Sequence, residues 1–186
     1  MTTSLRKDAV RSRRAILDAA RELYRDDAEA SFAEIASEAG VGQATVYRHF
    51  ADRRALLAAL AEEDMGALEE RIAADEEIGP ESLEEVLREI LAAQLRSQGM
   101  IGAIRAGEVE ESQVQGLTDR VRDLLAPRLE AARAAGVVRP DLTADDLLMV
   151  LSMVDGALAP LRDFGERERA SARAFEIVLD GLRVRA

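Results

Sequence analysis

Between Ser31 and Leu57 the chain reads SFAEIASEAGVGQATVYRHFADRRALL, a stretch that admits little besides two short helices joined by a tight turn. Ser31 with Glu34 three residues on is a capping box, in which a hydroxyl and a carboxylate satisfy the free amides of a helix start, so a helix opens at Phe32. Ile35, Ala36 and Ala39 form its apolar stripe. Gly40 stands one step past that stripe, where a left-handed C-cap suits a residue without Cβ and Val41 folds back onto the helix end. A second helix begins at about Gly42 or Gln43. Its spacing sends Val46, Tyr47 and Phe50 inward and leaves Gln43, Thr45, Arg48 and His49 pointing elsewhere.

A helix with so little apolar surface needs a neighbour to hold it. Helix, glycine turn and a second helix with hydrogen-bonding side chains in its first turns is the helix-turn-helix arrangement, whose second helix fits the major groove of DNA. The segment EIASEAGVGQATVYRHFADRRALLAAL also resembles the signature of the tetracycline-repressor (TetR) family of bacterial transcriptional regulators. Ile35, Ala36, Gly40, Val41, Thr45, Tyr47, His49, Phe50, Leu56 and Leu57 are all in register with it. Gly42 replaces the usual Ser N-cap and Arg53 the usual Lys. Glycine caps a helix at a cost of a few tenths of a kcal/mol relative to Ser, and Arg keeps the charge.

That resemblance implies an all-α protein of about nine helices. Residues 1–55 would be a three-helix helix-turn-helix DNA-binding domain and residues 56–186 a helical effector-binding and dimerisation domain. It implies that Gln43, Ala44 and Thr45 face base edges and that Tyr47, His49 and Arg53 hold phosphates, with Arg48 joining either group and Ser31 included in the DNA-binding set. The residue chemistry agrees in kind: Gln pairs bidentately with adenine, a Thr or Ala methyl meets the thymine methyl, and phosphate contacts fix register without reading sequence.

Composition independently favours helix, because Ala, Leu, Arg and Glu are abundant and aromatics are only 3% of the chain. There are no cysteines and one histidine, so no disulfide, metal site or cofactor is implied. No window approaches the roughly 18 apolar residues of a membrane span, and the N-terminus lacks the apolar segment of a secretory signal. A cytoplasmic protein is expected. The net charge of −11 is unevenly spread. Residues 1–60 hold 10 Arg and Lys against 9 Asp and Glu, and seven of those basic residues lie between Arg6 and Arg25. The acid is concentrated beyond residue 60.

In chain order, residues 1–9 are expected to fray. Val10, Ile16, Leu17, Ala20, Leu23 and Tyr24 then mark one face of a helix from about Asp8 to Asp26, whose Arg11, Arg13 and Arg14 either touch DNA backbone or are solvated. Asp52 N-caps a long helix through the segment 51–77, with Leu56, Leu57, Leu60, Leu68 and Ile72 on one side. In the resembled family this fourth helix links reader and body. Gly79 and Pro80 break the pattern, and Pro80 at a first helical position followed by Glu81, Glu84 and Glu85 starts another helix. Leu83, Val86, Leu87, Ile90, Leu91 and Leu95 form its buried stripe. Gly99, Gly102 and Gly107 mark a loosely wound stretch with a short helix at most. A helix from about Val114 to Ala135 turns Leu117, Val121, Leu124, Leu125 and Leu129 inward, and Pro127 predicts a kink or a restart.

GVVRPD at 136–141 is a stop and turn, and Thr143 with Asp146 caps the next helix. AAGVVRPDLTADDLL also resembles the link before the last two helices of TetR-type regulators. Those helices, around LLMVLSMVDGALAPL and FEIVLDGL, are apolar nearly all the way round, so they need cover on more than one side. Either the subunit itself or a second copy of the chain supplies it, the second giving a two-fold four-helix bundle through Leu151, Val154, Leu158, Phe175, Val178 and Leu182, with Gly156, Ala157, Ala159 and Gly181 allowing close approach. Gln94, Gln98, Met100, Arg105, Met149, Met153 and Asp155 either line an effector pocket, as polar fixtures in an apolar lining, or are core methionines and exposed polar residues. The best candidates for acid–base chemistry, Asp145 with Asp146 and Glu110 with Glu111, are sequence neighbours on helices and do not face one another. The chain is not expected to be an enzyme. The reading as a whole is a DNA-binding transcriptional repressor that acts as a homodimer on an inverted-repeat operator and is released by a small-molecule effector.

Overall fold

The computed structural model describes residues 2–25, 29–74, 78–161 and 163–183, with only the backbone of 2–6. Those residues form nine helices: α1 (Thr2–Leu23), α2 (Phe32–Glu38), α3 (Gln43–His49), α4 (Arg53–Ala73), α5 (Ser82–Arg96), α6 (Gln98–Arg105), α7 (Glu111–Ala134), α8 (Ala144–Leu158) and α9 (Phe164–Leu182). They pack as two compact units. Unit 1 is Met1–Glu63 with Ser97–Gln113, and unit 2 is Asp64–Arg96 with Val114–Ala186. The compact units therefore divide the chain differently from a cut at residue 55. α4 runs unbroken from one into the other, and α6 belongs with the first.

In unit 1, α1 packs on α2 and α3, and α2 on α3. The buried residues are those the helical spacing picks out: Ile16, Leu17, Ala20 and Tyr24 on α1 and its end, Ile35 and Ala36 on α2, Val46 and Phe50 on and after α3, and Leu56, Leu57 and Leu60 on α4. The α2–α3 turn is set by Gly40, at φ +64°. It lets the Val41 N–H donate to Ala36 O at 3.0 Å and the Gly40 N–H to Ser37 O at 3.3 Å, the paired bonds that close a helix end. Gly136, at φ +68°, ends α7 in the same way, with Val137 N–H donating to Ala132 O and Gly136 N–H to Arg133 O, both at 3.0 Å.

Unit 2 is built around one apolar cluster. Met65, Leu68 and Ile72 of α4, Leu83, Val86, Leu87, Ile90, Leu91 and Leu95 of α5, and Leu125, Leu129 and Ala132 of α7 meet Leu147, Leu151, Val154 and Leu158 of α8 and Phe175, Leu179 and Leu182 of α9. α9 packs against both α5 and α8. Its C-terminal end is also tied by a bridge between Val138 and Arg183. Thr143 and Asp146 form the expected capping box of α8.

Four local expectations change. α1 begins at Thr2, so its backbone is helical where fraying was expected, and Asp26 lies outside the described residues. Val10, placed on the apolar face, is 69% exposed, because the packed face of α1 begins at Ile16. α5 opens at Ser82: Glu84 N–H donates to Glu81 O at 3.0 Å, and Ser82 Oγ closes the turn onto Gly79 O at 2.6 Å, which leaves Pro80 in the turn. α7 runs through Pro127 without restarting. Pro127 and Asp123 are exposed, so the Asp123 carbonyl that loses its N–H partner stays within reach of water.

The Cβ built on Gly40 meets nothing within 4 Å, so Gly40→Ala carries only the backbone strain of its positive φ. We expect a loss of about 1 kcal/mol. Gly42 has an extended N-cap conformation and room for a side chain, so Gly42→Ser is expected to stabilise by a few tenths of a kcal/mol. Denaturant unfolding of both variants checks the opposite signs.

Candidate nucleic-acid interface

α3 is held from one side only. Val46 is fully buried and Phe50, four residues on, is nearly so, which fixes the opposite face outward. Gln43, Ala44 and Arg48 are exposed on that face, with Thr45 and His49 half-buried beside them. Tyr47 differs from the inward placement: it is 54% exposed and only leans its ring on Phe32, with centroids 5.0 Å apart and planes tilted by 56°. Val46 and Phe50 already fill the inward stripe, and Tyr47 lies about 100° round the helix from Val46.

Arg48 lies back along its own helix, donating Nε to Ala44 O at 3.3 Å and Nη2 to Thr45 Oγ1 at 3.1 Å. That leaves the Thr45 hydroxyl proton available to an outside acceptor. His49 stands beside Phe50, ring centroids 6.3 Å apart. Ser31 is committed within the chain: its N–H and Oγ donate to Glu34 Oε2 at 2.8 and 2.6 Å, and Oγ accepts the Glu34 N–H at 3.3 Å. These bonds, the hydroxyl first and the amide second, hold the Glu34 carboxyl below its ordinary range.

The basic residues flanking α3 are more engaged than their spacing suggests. Arg53 donates Nε to Glu108 Oε2 at 2.6 Å and lies over the Tyr24 ring, 5.4 Å from its centroid. Arg54 pairs with Glu110 at 2.8 Å and reaches the Gly107 and Glu108 carbonyls. Burial pushes the Tyr24 phenol up, and Arg53 offsets part of that; its hydroxyl donates to Ala30 O at 3.1 Å. Arg13 pairs with Glu63 at 3.0 Å and lies over Phe50, 5.5 Å from the centroid, so it braces α3 from behind, whereas Arg11 and Arg14 are exposed. Sequence reasoning missed Glu108, Glu110 and Glu63 as partners, because charges some fifty residues apart carry no periodic signal.

The other expected sites are placed as follows. Gln98, Met100 and Arg105 belong to unit 1, with Gln98 and Met100 buried and Arg105 exposed, while Gln94, Met149, Met153 and Asp155 belong to unit 2. Met149 and Met153 are exposed on α8 and Asp155 is buried. Of the residues expected at a dimer interface, Leu151, Val154, Leu158, Phe175 and Leu182 are buried in the chain's own core and Val178 packs against it. The outward stripe of α8 is instead Met149, Ser152, Met153, Gly156 and Ala157, and α9 exposes Ile177. Among the described residues no cluster of His, Cys, Asp or Glu is arranged to hold a metal, and no helix is long and apolar enough to cross a membrane.

Residues 16–60 match the family described as bacterial regulatory proteins, tetR family, and residues 79–184 match the C-terminal domain described as transcriptional regulator SbtR-like. Over 180 residues, 92% of either chain, the protein is 30% identical to the HTH-type transcriptional repressor Rv1474c of Mycobacterium tuberculosis. A stretch of 51 residues, 27% of either chain, is 51% identical to the HTH-type transcriptional repressor LfrR of Mycolicibacterium smegmatis. A TetR transcription regulatory protein from Mycobacterium vanbaalenii has a crystal structure that superposes with a TM-score of 0.69, at 29% identity over 97% of this chain and 99% of that one.

The lowered Glu34 carboxyl makes the start of α2 acid-sensitive. A depressed folded pKa contributes stability above the unfolded value, about 4.3 for Glu, and that contribution is lost as pH falls through the folded value. Amide protection factors in α2 are expected to drop in that window, and Glu34→Gln, which can still cap, should flatten the dependence.

Proposed function

Because the chain belongs to the TetR family of bacterial transcriptional regulators, we propose that it represses transcription as a homodimer on an inverted-repeat operator and lets go when a small molecule binds unit 2. The family works by binding DNA through its helix-turn-helix and is not an enzyme family, so the open questions are which residues read, how two copies meet and what releases them. The observation that carries the reading is the outward face of α3, where Gln43, Ala44, Tyr47 and Arg48 stand exposed on a helix anchored by Val46 and Phe50. A face of that kind enters the major groove with its first turn against base edges.

In this reading Gln43 and the methyls of Ala44 and Thr45 read bases. Tyr47, His49 and Arg53 hold phosphates, and Arg48 exchanges its intrahelical bonds for DNA. Arg53 must share its charge between Glu108 and phosphate. Ser31 serves the interface indirectly, by fixing the start of α2. The protein would act in the cytoplasm, where its operator is. Reader helices of a two-fold dimer would meet successive major grooves about 34–36 Å apart. α4 is the covalent path for release, since one unbroken helix contributes to both units.

The dimer is proposed to form through α8 and α9, by the stripe the subunit leaves uncovered. Met149, Met153 and Ile177 would supply apolar contact, and Ser152, Gly156 and Ala157 close approach.

A duplex selected from a random pool, titrated against its scrambled counterpart, tests the reader. Gln43→Ala is expected to cost roughly 1–3 kcal/mol on the selected site and to relax its preference, while Arg53→Ala should weaken both duplexes alike and lower the salt slope by about 1. Wild-type binding by Gln43→Ala removes Gln43 from base readout. For the dimer, Met153→Glu and Ile177→Glu should give folded monomers by light scattering with unchanged helical circular dichroism. Val154→Glu, by contrast, should unfold the chain by burying a carboxylate. A monomeric wild type at micromolar concentration would sink the dimer.

A further inference from the structure

Among the described residues unit 2 buries two arginines and satisfies them differently. Arg167 donates Nε to Leu161 O at 2.7 Å. Arg128, 7% exposed on α7, donates Nη1 to Leu124 O at 2.8 Å, a carbonyl of its own helix one turn back. Its Nε is buried with no acceptor, and no carboxylate of the described residues pairs with it. A guanidinium cannot shed its charge, so burial without an anion leaves a standing demand for one.

Arg128 also lines a cleft of about 300 Å³. Ile72 of α4 with Ser82 and Val86 of α5, all buried, line it too, along with the more exposed Arg71, Glu85 and Glu89. Arg71 and Glu89 neutralise one another at 3.0 Å, and the Ser82 hydroxyl is spent on Gly79 O. Among the described residues, what remains is the Arg128 guanidinium with no paired carboxylate, an apolar wall and the exposed Glu85.

We propose that this cleft is the binding site of a small monocarboxylic acid, its carboxylate on the Arg128 guanidinium and its short apolar body against Ile72 and Val86. A guanidinium holds a carboxylate by charge-assisted hydrogen bonds. The Glu85 carboxylate disfavours a second negative charge, which selects a monocarboxylate over a phosphate ester or a dicarboxylate. The volume lies at the small end of ligand sites and suits a short acyl or aryl acid. This inference rests on, and gives chemistry to, the reading that unit 2 receives the effector.

The test uses the full chain without DNA. Benzoate and the linear acids from acetate to octanoate are titrated by calorimetry and thermal melting, with benzamide and inorganic phosphate as matched controls. Saturable binding of at least one acid, absent for benzamide and phosphate, is the expected result. Arg128→Met should weaken that binding by about tenfold or more, a loss of 1.4 kcal/mol per tenfold, without lowering the melting temperature of the ligand-free protein, because replacing an uncompensated buried charge by an apolar side chain is neutral or stabilising. Arg71→Met should bind as wild type. Benzamide binding as well as benzoate, unchanged affinity in Arg128→Met, or no binding of any acid at millimolar concentration overturns the site. Operator affinity measured with saturating acid is a separate arm. An acid that binds through Arg128 yet leaves operator affinity unchanged overturns release by that ligand and leaves the carboxylate site standing, since coupling must act equally in both directions.

Discussion

Helices of seven residues do not persist alone in water, so everything that α3 presents depends on the burial of its own Val46 and of Phe50 at its C-cap. Both residues are carried on the inward stripe of a helix otherwise made of polar or small side chains. α1 packs against α3, and Arg13 adds its guanidinium over the Phe50 ring. α2 is as short, and its ends are closed by the Ser31–Glu34 box and by the left-handed Gly40. The reader is thus a rigid surface because its local ends are satisfied and its inward residues are packed, with no contribution needed from its outward side chains. Those are left to chemistry.

Charge is handled by internal pairing more than by net sign. Unit 1 holds 11 Arg and Lys against 14 Asp and Glu in sequence, so it is net acidic once Ser97–Gln113 is counted with it. Glu63 takes up Arg13 and Arg21, and Glu108 and Glu110 take up Arg53 and Arg54. Pairs this exposed add little to stability, roughly 0–1 kcal/mol each. Their effect is positional: they orient basic side chains near α3 and set the competition a phosphate must win. Unit 2 follows the same habit, with Arg120 forking onto both oxygens of Glu69 at 2.8 and 2.6 Å and holding that carboxyl below its ordinary range. Against this background Arg128 stands out, a buried arginine that among the described residues bonds a single backbone carbonyl.

Much of the fold follows from signals that act over one or two helical turns. Both capping boxes, the Asp52 cap whose Oδ1 accepts the Ala55 N–H at 2.8 Å, and the glycine turns at 40 and 136 depend on bonds between residues a few positions apart, and such bonds form wherever those residues occur together. The apolar stripes of α4 and α5 are as local in origin, since a 3.6-residue repeat fixes which side chains share a face. Which helix-turn-helix positions face outward was legible for Gln43 and Arg48 for the same reason. Tyr47 was not, because an aromatic with a polar end satisfies either side and only the filling of the inward stripe by Val46 and Phe50 decides.

Tertiary structure alone decided the rest. α8 is apolar on most of its circumference, so periodicity cannot say whether Leu151, Val154 and Leu158 or Met149 and Met153 face the subunit's core; the arrival of α9, through Phe175, Leu179 and Leu182, selects the first set. Pairings of Arg53 with Glu108 and of Arg13 with Glu63, and the burial of Arg128 beside an open cleft, join residues that the chain brings together only by folding. The sequence by itself determined helices, caps, turns and the family, because those rest on short-range hydrogen bonding and side-chain spacing. The fold decided which apolar face is covered and which charges are paired, because burial and Coulomb energy depend on distances in space that sequence separation does not set.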